Sequence, residues 1–180
     1  MKVIVGCEYS GRVRDAFIRY GHQAVSVDLV SSSSKGPHII ADILDIVSDK
    51  FDLGIFFPPC TALCNSGNRW YAGTEEREES LEFIIKLMNA PINKIAIENP
   101  SGAISSNIRK PDQIIQPYQF GHGWTKTTCL WLKNLPNLTP TKIVPITQPN
   151  RIHHSYRAST KRTRTPGGIA TAMAKQWGIA

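Results

Sequence analysis

Hydrophobic positions along the chain fall into short continuous runs that alternate with one-sided stripes. Val3-Ile4-Val5 reads as a strand buried on both faces, closed by Gly6. Val13, Ala16, Phe17 and Tyr20 then recur at helical spacing, and Gly21 marks the stop. Residues 24–27 form a second apolar run ending at Asp28, and a polar loop occupies residues 31–36. Residues 38–41 make a short third strand closed by Asp42, and residues 53–57 a fourth, stopped by Pro58-Pro59. Thr74 is placed to cap a helix whose first turn carries Glu75 and Glu76, where the helix dipole favours negative charge. Leu81, Ile84, Ile85 and Met88 are its expected buried face. Residues 95–97 are a fifth strand running into Glu98-Asn99-Pro100, and residues 128–132 a sixth. A last short helix comes after Gly167-Gly168 and carries Ile169, Met173 and Trp177 inward.

Strands alternating with helices predict an open, mostly parallel α/β sheet. Such sheets bind ligands at the carboxyl ends of their strands. The polar residues that interrupt the apolar pattern sit at those ends: Glu8 with Ser10, Asp28, Asp42, Cys60, and Glu98 with Asn99.

The 180 residues suit one domain, 1–180, with residues 134–166 as an irregular stretch, proline-rich and then basic. The apolar runs are too short to span a membrane, and the first residues read as a strand rather than a secretion signal. Four cysteines without a CxxC pair suggest free thiols in a reducing, cytoplasmic setting and no metal site. The net charge of +7 is uneven, with Arg151, Arg157, Lys161, Arg162 and Arg164 crowded together. That crowding suits a nucleic acid or a nucleotide phosphate, and equally a solvated basic loop. His153-His154 lacks an acidic companion nearby and reads as a phosphate contact or an inert loop. Nothing in the pattern designates a protein partner.

A cysteine held past a buried strand by two prolines can be a nucleophile or a buried thiol in a rigid turn. A glutamate at the end of the next strand can be a proton donor if burial raises its pKa, or a turn cap. Together Cys60 and Glu98 could activate a pyrimidine: the thiolate adds at C6 while the acid engages N3, and C5 becomes nucleophilic.

Here the chain resembles the DNA cytosine C5-methyltransferases along its whole length, as a small, phage-like member. Gly6-Cys7-Glu8-Tyr9-Ser10-Gly11 resembles a shortened first cofactor motif, Pro58-Pro59-Cys60 the nucleophile motif, and Glu98-Asn99 the first two residues of the Glu-Asn-Val motif. Gly167-Gly168-Ile169-Ala170 with Ala172-Met173-Ala174 resembles the C-terminal motif that returns to the cofactor pocket. The resemblance implies a Rossmann-like S-adenosylmethionine-dependent methyltransferase fold with a mostly parallel sheet. It assigns Glu8, Ser10, Gly11, Asp28, Asp42, Pro58 and Gly168 to the cofactor, with Asp28 on the ribose and Asp42 on the adenine amino group. It assigns Cys60, Glu98 and Asn99 to catalysis.

Two departures stand out. The Gln-x-Arg-x-Arg motif is missing, and Lys126 stands in the matching place, without arginine's planar fork. No room remains for a full target-recognition region. The substrate is then DNA read loosely, with Arg157, Lys161, Arg162 and Arg164 on phosphates, or a free cytidine nucleotide gripped by the same residues. An inactive nucleic-acid-binding relative is a further alternative, against which intact Cys60 and Glu98 argue. Trp70 and Tyr71, after the nucleophile loop, are expected to anchor that loop, ahead of a role as a mobile lid.

Overall fold

The apolar runs and stripes assemble into a seven-stranded sheet with helices on both faces. The computed structural model describes residues 1–148 and 164–179. Arg151, His153, His154, Arg157, Lys161 and Arg162 lie outside the described residues.

The strands are β1 (Lys2–Gly6), β2 (Gln23–Asp28), β3 (His38–Ile40), β4 (Leu53–Phe56), β5 (Lys94–Asn99), β6 (Gln113–Ile115) and β7 (Thr128–Lys133). Their spatial order is β3-β2-β1-β4-β5-β7-β6. The first five run parallel, whereas β7 is antiparallel to both β5 and β6. Chain order reverses between β1 and β4, which opens a crevice at their carboxyl ends.

The period-two alternation of strand side chains divides the core. Val3, Val5, Leu53 and Ile55 face one layer, packed by Phe17 of α1 (Arg12–Arg19) and by Ile169, Met173 and Trp177 of α6 (Gly167–Trp177). Ile4, Phe56, Ile95 and Ile97 face the other, packed by Ile84 and Leu87 of α4 (Glu75–Met88) and by Ile104 of α5 (Ala103–Asn107). Each large side chain so buried contributes about 1.5–3 kcal/mol. Thr74 caps α4 as expected, its hydroxyl accepting from the Arg77 amide. The buried stripe of α4 differs from expectation: Leu87 is buried and Ile85 is exposed, because the helix presents the Ile84–Leu87 side to the sheet.

Four further elements, α5 among them, lack a sequence signal. Strand β6 is only three residues long and forms against β7, and α2 (Ile43–Ile46) is a single turn capped by Asp42. Helix α3 (Asn68–Tyr71) is likewise short and buries none of its residues. Among the described residues of 134–166, neither helix nor extended strand forms before α6. Also among the described residues, no helix is long and apolar enough to cross a membrane.

Gly168 lies where α6 docks, its amide donating to Nε2 of His122 at 3.0 Å. A Cβ on Gly168 would fall on the Phe120 carbonyl oxygen. Gly168→Ala is therefore expected to lose about 1–3 kcal/mol through overpacking. Urea unfolding checks this, and an unchanged midpoint would show that the contact relaxes freely.

Candidate active site

A cleft of about 1030 Å³ opens at the carboxyl ends of the parallel strands. Cys60, Glu98, Asn99 and Lys126 line it, and so do Glu8, Ser10, Asp28, Asp42 and Pro58. Residues read from separate strand ends are thus brought to one wall. Gly11, Gly168 and Arg164 are not on that wall.

The segment carrying Cys60 is held from three sides. Where β4 ends, the Phe57 amide donates to the Gly6 carbonyl at 3.0 Å. From β5, Nδ2 of Asn99 donates to the Pro58 carbonyl at 3.0 Å. Beyond Cys60, the Ala103 amide donates to the Leu63 carbonyl at 2.7 Å, and a side chain at Gly102 would collide with that same oxygen. Arg77, buried on α4, donates from Nε to the Ala62 carbonyl at 2.8 Å and from Nη1 to Oδ1 of Asn68. The carbonyl of Cys60 itself accepts from the amides of Leu63 and Cys64, so a tight turn starts at Cys60. Asn99 thus fastens the loop through Nδ2. Its Oδ1 is buried at the cleft with no hydrogen-bond partner among the described residues.

Electrostatics set the protonation of the central groups. Burial pushes the Cys60 thiol up, with Cys64 and Glu98 adding to it, while Lys126 opposes. Burial likewise raises the Glu98 carboxyl, again opposed by Lys126. Nζ of Lys126 lies 4.0 Å from Oε1 of Glu98, with the two side chains 22% and 17% exposed. At that degree of burial the pair is screened less than a surface pair. The backbone amide of Lys126 donates to Oε1 of Gln116 at 2.9 Å, which fixes where the lysine leaves the chain. The cleft therefore holds a thiol and a carboxyl that burial both raises, and a lysine that opposes both shifts.

The other end of the cleft carries carboxylates. Asp28 accepts from the Val30 amide at 3.2 Å, and Asp42 from the Leu44 amide at 2.9 Å. Cys7 lies between them: its thiol is pushed up to about 12 by burial and then by Asp28 and Asp42. Cys7 also has φ 56, a left-handed conformation rare for a side chain of its kind. Glu8 does a different job. One of its oxygens accepts from the Val13 amide at 2.8 Å and from Ser10 Oγ at 3.0 Å, and the other from the Arg14 amide at 3.3 Å. Its carboxylate caps α1. Gly11, at φ 68, makes the turn into that helix, and a side chain there would strike Arg14. Arg164 leans on Tyr9 of the cleft wall, its Nε donating to the hydroxyl at 3.3 Å.

Sequence reasoning did not find Arg77, Gly102 or Gln116. A lone arginine in a charged helical turn, a glycine after Pro100-Ser101 and a glutamine before Pro117 carry no pattern that separates them from surface residues. The expectation that Trp70 anchors the loop is also corrected. Trp70 is 66% exposed, and Tyr71 is the residue that packs beside Gly67. Among the described residues, no three or more His, Cys, Asp or Glu side chains group as a metal site would require.

No family model matches the chain, and no curated protein matches it in sequence. Solved structures do. A protein described as a DNA modification methyltransferase encoded within prophage Cp (E. coli) superposes with a TM-score of 0.53 at 16% identity, covering 81% of this chain and 52% of that one. The Entamoeba histolytica methyltransferase EhMeth superposes with a TM-score of 0.51 at 17% identity, covering 80% and 57%. The fold is that of the Rossmann-like S-adenosylmethionine-dependent methyltransferases. Within it, this chain spans just over half the length of the two structures.

Glu98 offers a test of the site's electrostatics that is independent of any activity. Its carboxyl is raised in the fold, so ionising it disfavours the native state. The penalty is absent below the unfolded-state pKa and grows as pH rises through the folded one. Glu98→Gln is expected to raise the thermal midpoint near pH 8, with the gain shrinking towards pH 4. A difference that stays constant over this range contradicts the assignment.

Proposed function

We propose that this chain transfers a methyl group from S-adenosylmethionine to C5 of cytosine, most readily in DNA, through a covalent bond between Cys60 and C6. The observation that carries this reading is the convergence of Cys60, Glu98 and Lys126 in the same cleft as Asp28 and Asp42.

The cofactor fits the residues present. Asp28 and Asp42 offer acceptors suited to ribose hydroxyls and an adenine amino group, with the apolar side chains of Val27 and Ile43 beside them. S-adenosylmethionine, when bound there, supplies an electrophilic methyl group. Pro58 completes the wall between this end and the nucleophile.

The protein's own residues carry the rest. Cys60 gives its proton to solvent water and adds to C6 of the ring. Glu98, whose proton is held more firmly because burial raises its carboxyl, donates it towards N3. Lys126 stabilises the thiolate and, once Glu98 has given up its proton, the carboxylate. Asn99 keeps Pro58, and with it the sulfur, in place. After C5 is methylated, its proton passes to solvent water, the thiolate is eliminated, and N3 returns its proton to Glu98, which restores both residues. Gly11 and Gly168 shape the walls from outside the cleft in this scheme, and Glu8 and Ser10 act by fixing α1 beneath it. The basic residues Arg157, Lys161 and Arg162 remain the proposed phosphate contacts.

Labelled S-adenosylmethionine tests the reading against duplex DNA, single-stranded DNA, RNA, CMP and dCMP. Label is expected in DNA cytosine, and Cys60→Ser is expected to lose at least about a thousandfold in turnover while binding cofactor normally. No label in any substrate refutes the reading, and label in CMP or dCMP alone moves it to free nucleotides. Turnover by Cys60→Ser refutes the nucleophile.

A further inference from the structure

Among the described residues, the most exposed tryptophan lies next to the nucleophile loop. Trp70 is 66% exposed, whereas Trp131 and Trp177 are 1% and 0% exposed. A single exposed apolar residue needs no explanation on its own. Trp70 differs in how it is presented. The guanidinium of Arg69 lies 4.2 Å from the centre of its ring, so one face is already backed by a cation. With two-thirds of the residue in solvent, the ring is held ready rather than buried.

The mount of this ring is continuous with the reactive loop. Asn65 and Ser66 line the cleft, and α3, which carries Arg69 and Trp70, starts two residues later. Arg77 grips both parts at once, binding the Ala62 carbonyl beside the nucleophile and Asn68 at the start of α3. The other end of α3 is closed by the Ala72 amide on the Asn68 carbonyl at 3.0 Å and the Thr74 amide on the Tyr71 carbonyl at 3.2 Å. A ring pre-set in this way loses little freedom on contact with a ligand.

An aromatic face backed by one arginine suits the flat face of a base. In a duplex those faces are covered by stacking, whereas in a single strand they are available.

We propose that Trp70, backed by Arg69, is a stacking site for a base of single-stranded nucleic acid adjacent to the base that enters the cleft. This rests on the reading of the cleft as a cytosine site and specifies the form of the polymer it accepts: an unpaired strand.

The test reads binding, not methyl transfer. A fluorescein-labelled single strand of about a dozen nucleotides with a central cytosine is titrated by anisotropy against wild type, Trp70→Ala and Trp70→Phe. Trp70→Ala is expected to weaken binding about tenfold, with Trp70→Phe close to wild type. The dependence on salt should keep its slope in Trp70→Ala, because no phosphate contact is removed. CMP and the matching duplex should bind both proteins equally, and unchanged cofactor affinity shows that the variant is folded. Equal binding of the single strand by Trp70→Ala and wild type overturns the proposal, and so does an equal loss for CMP. A failure here leaves the label-transfer result standing. A failure of label transfer leaves this binding result readable.

Discussion

The hydrogen bond from Asn99 to the Pro58 carbonyl joins the ends of two neighbouring parallel strands, and the proposed chemistry of the cleft depends on it. Strand β4 delivers Pro58, Pro59 and Cys60, and strand β5 delivers Glu98 and Asn99. Their pairing puts Phe56 opposite Ile97, so the two chains leave the sheet side by side. A cysteine on a loose loop would sample many positions. Here the prolines stiffen the chain before it, Asn99 fastens the carbonyl behind it, and Arg77 and Gly102 secure the turn after it. Position is thus built into buried backbone contacts, and the side chains are left to react.

Burial then sets the charge states. It raises both the Cys60 thiol and the Glu98 carboxyl, which favours a neutral acid but disfavours the thiolate. Lys126 resolves the conflict by favouring both anions from one point, 4.0 Å from Glu98. In the proposed reaction, the proton that leaves the thiol and the one that leaves the carboxyl are both assisted by the same lysine. Lysine does this as a point charge and needs no planar fork. In the proposed reaction Lys126 supplies positive charge near both groups, in the place where the arginine motif is missing.

Much of this was legible in the sequence because it depends on strand ends. The five parallel strands announce themselves by apolar runs, and whatever polar residue closes each run must meet the others at one edge. Asp28, Asp42, Cys60 and Glu98 are legible in that way. The features that the pattern does not reveal depend on three-dimensional company. The oxygens of Glu8 satisfy amides at the start of α1. Gly168 permits close approach to Phe120. Strand β6 has three residues and exists only because β7 offers an edge. Arg77 looks like one charge among many in a polar helical turn, and its burial against Ala62 has no signature along the chain.

The central claim is a covalent bond between Cys60 and C6 of cytosine. Replacing the C5 hydrogen of the target by fluorine lets methyl transfer proceed but removes the proton whose loss frees the thiolate, so the adduct persists. Single-stranded DNA carrying 5-fluorocytosine, incubated with the protein and S-adenosylmethionine, is expected to yield a protein–DNA species that survives denaturation and maps by mass spectrometry to the peptide containing Cys60. Methylation of ordinary cytosine with no trapped species on the fluorinated strand, or a bond mapped to Cys64 or Cys7, would contradict the account.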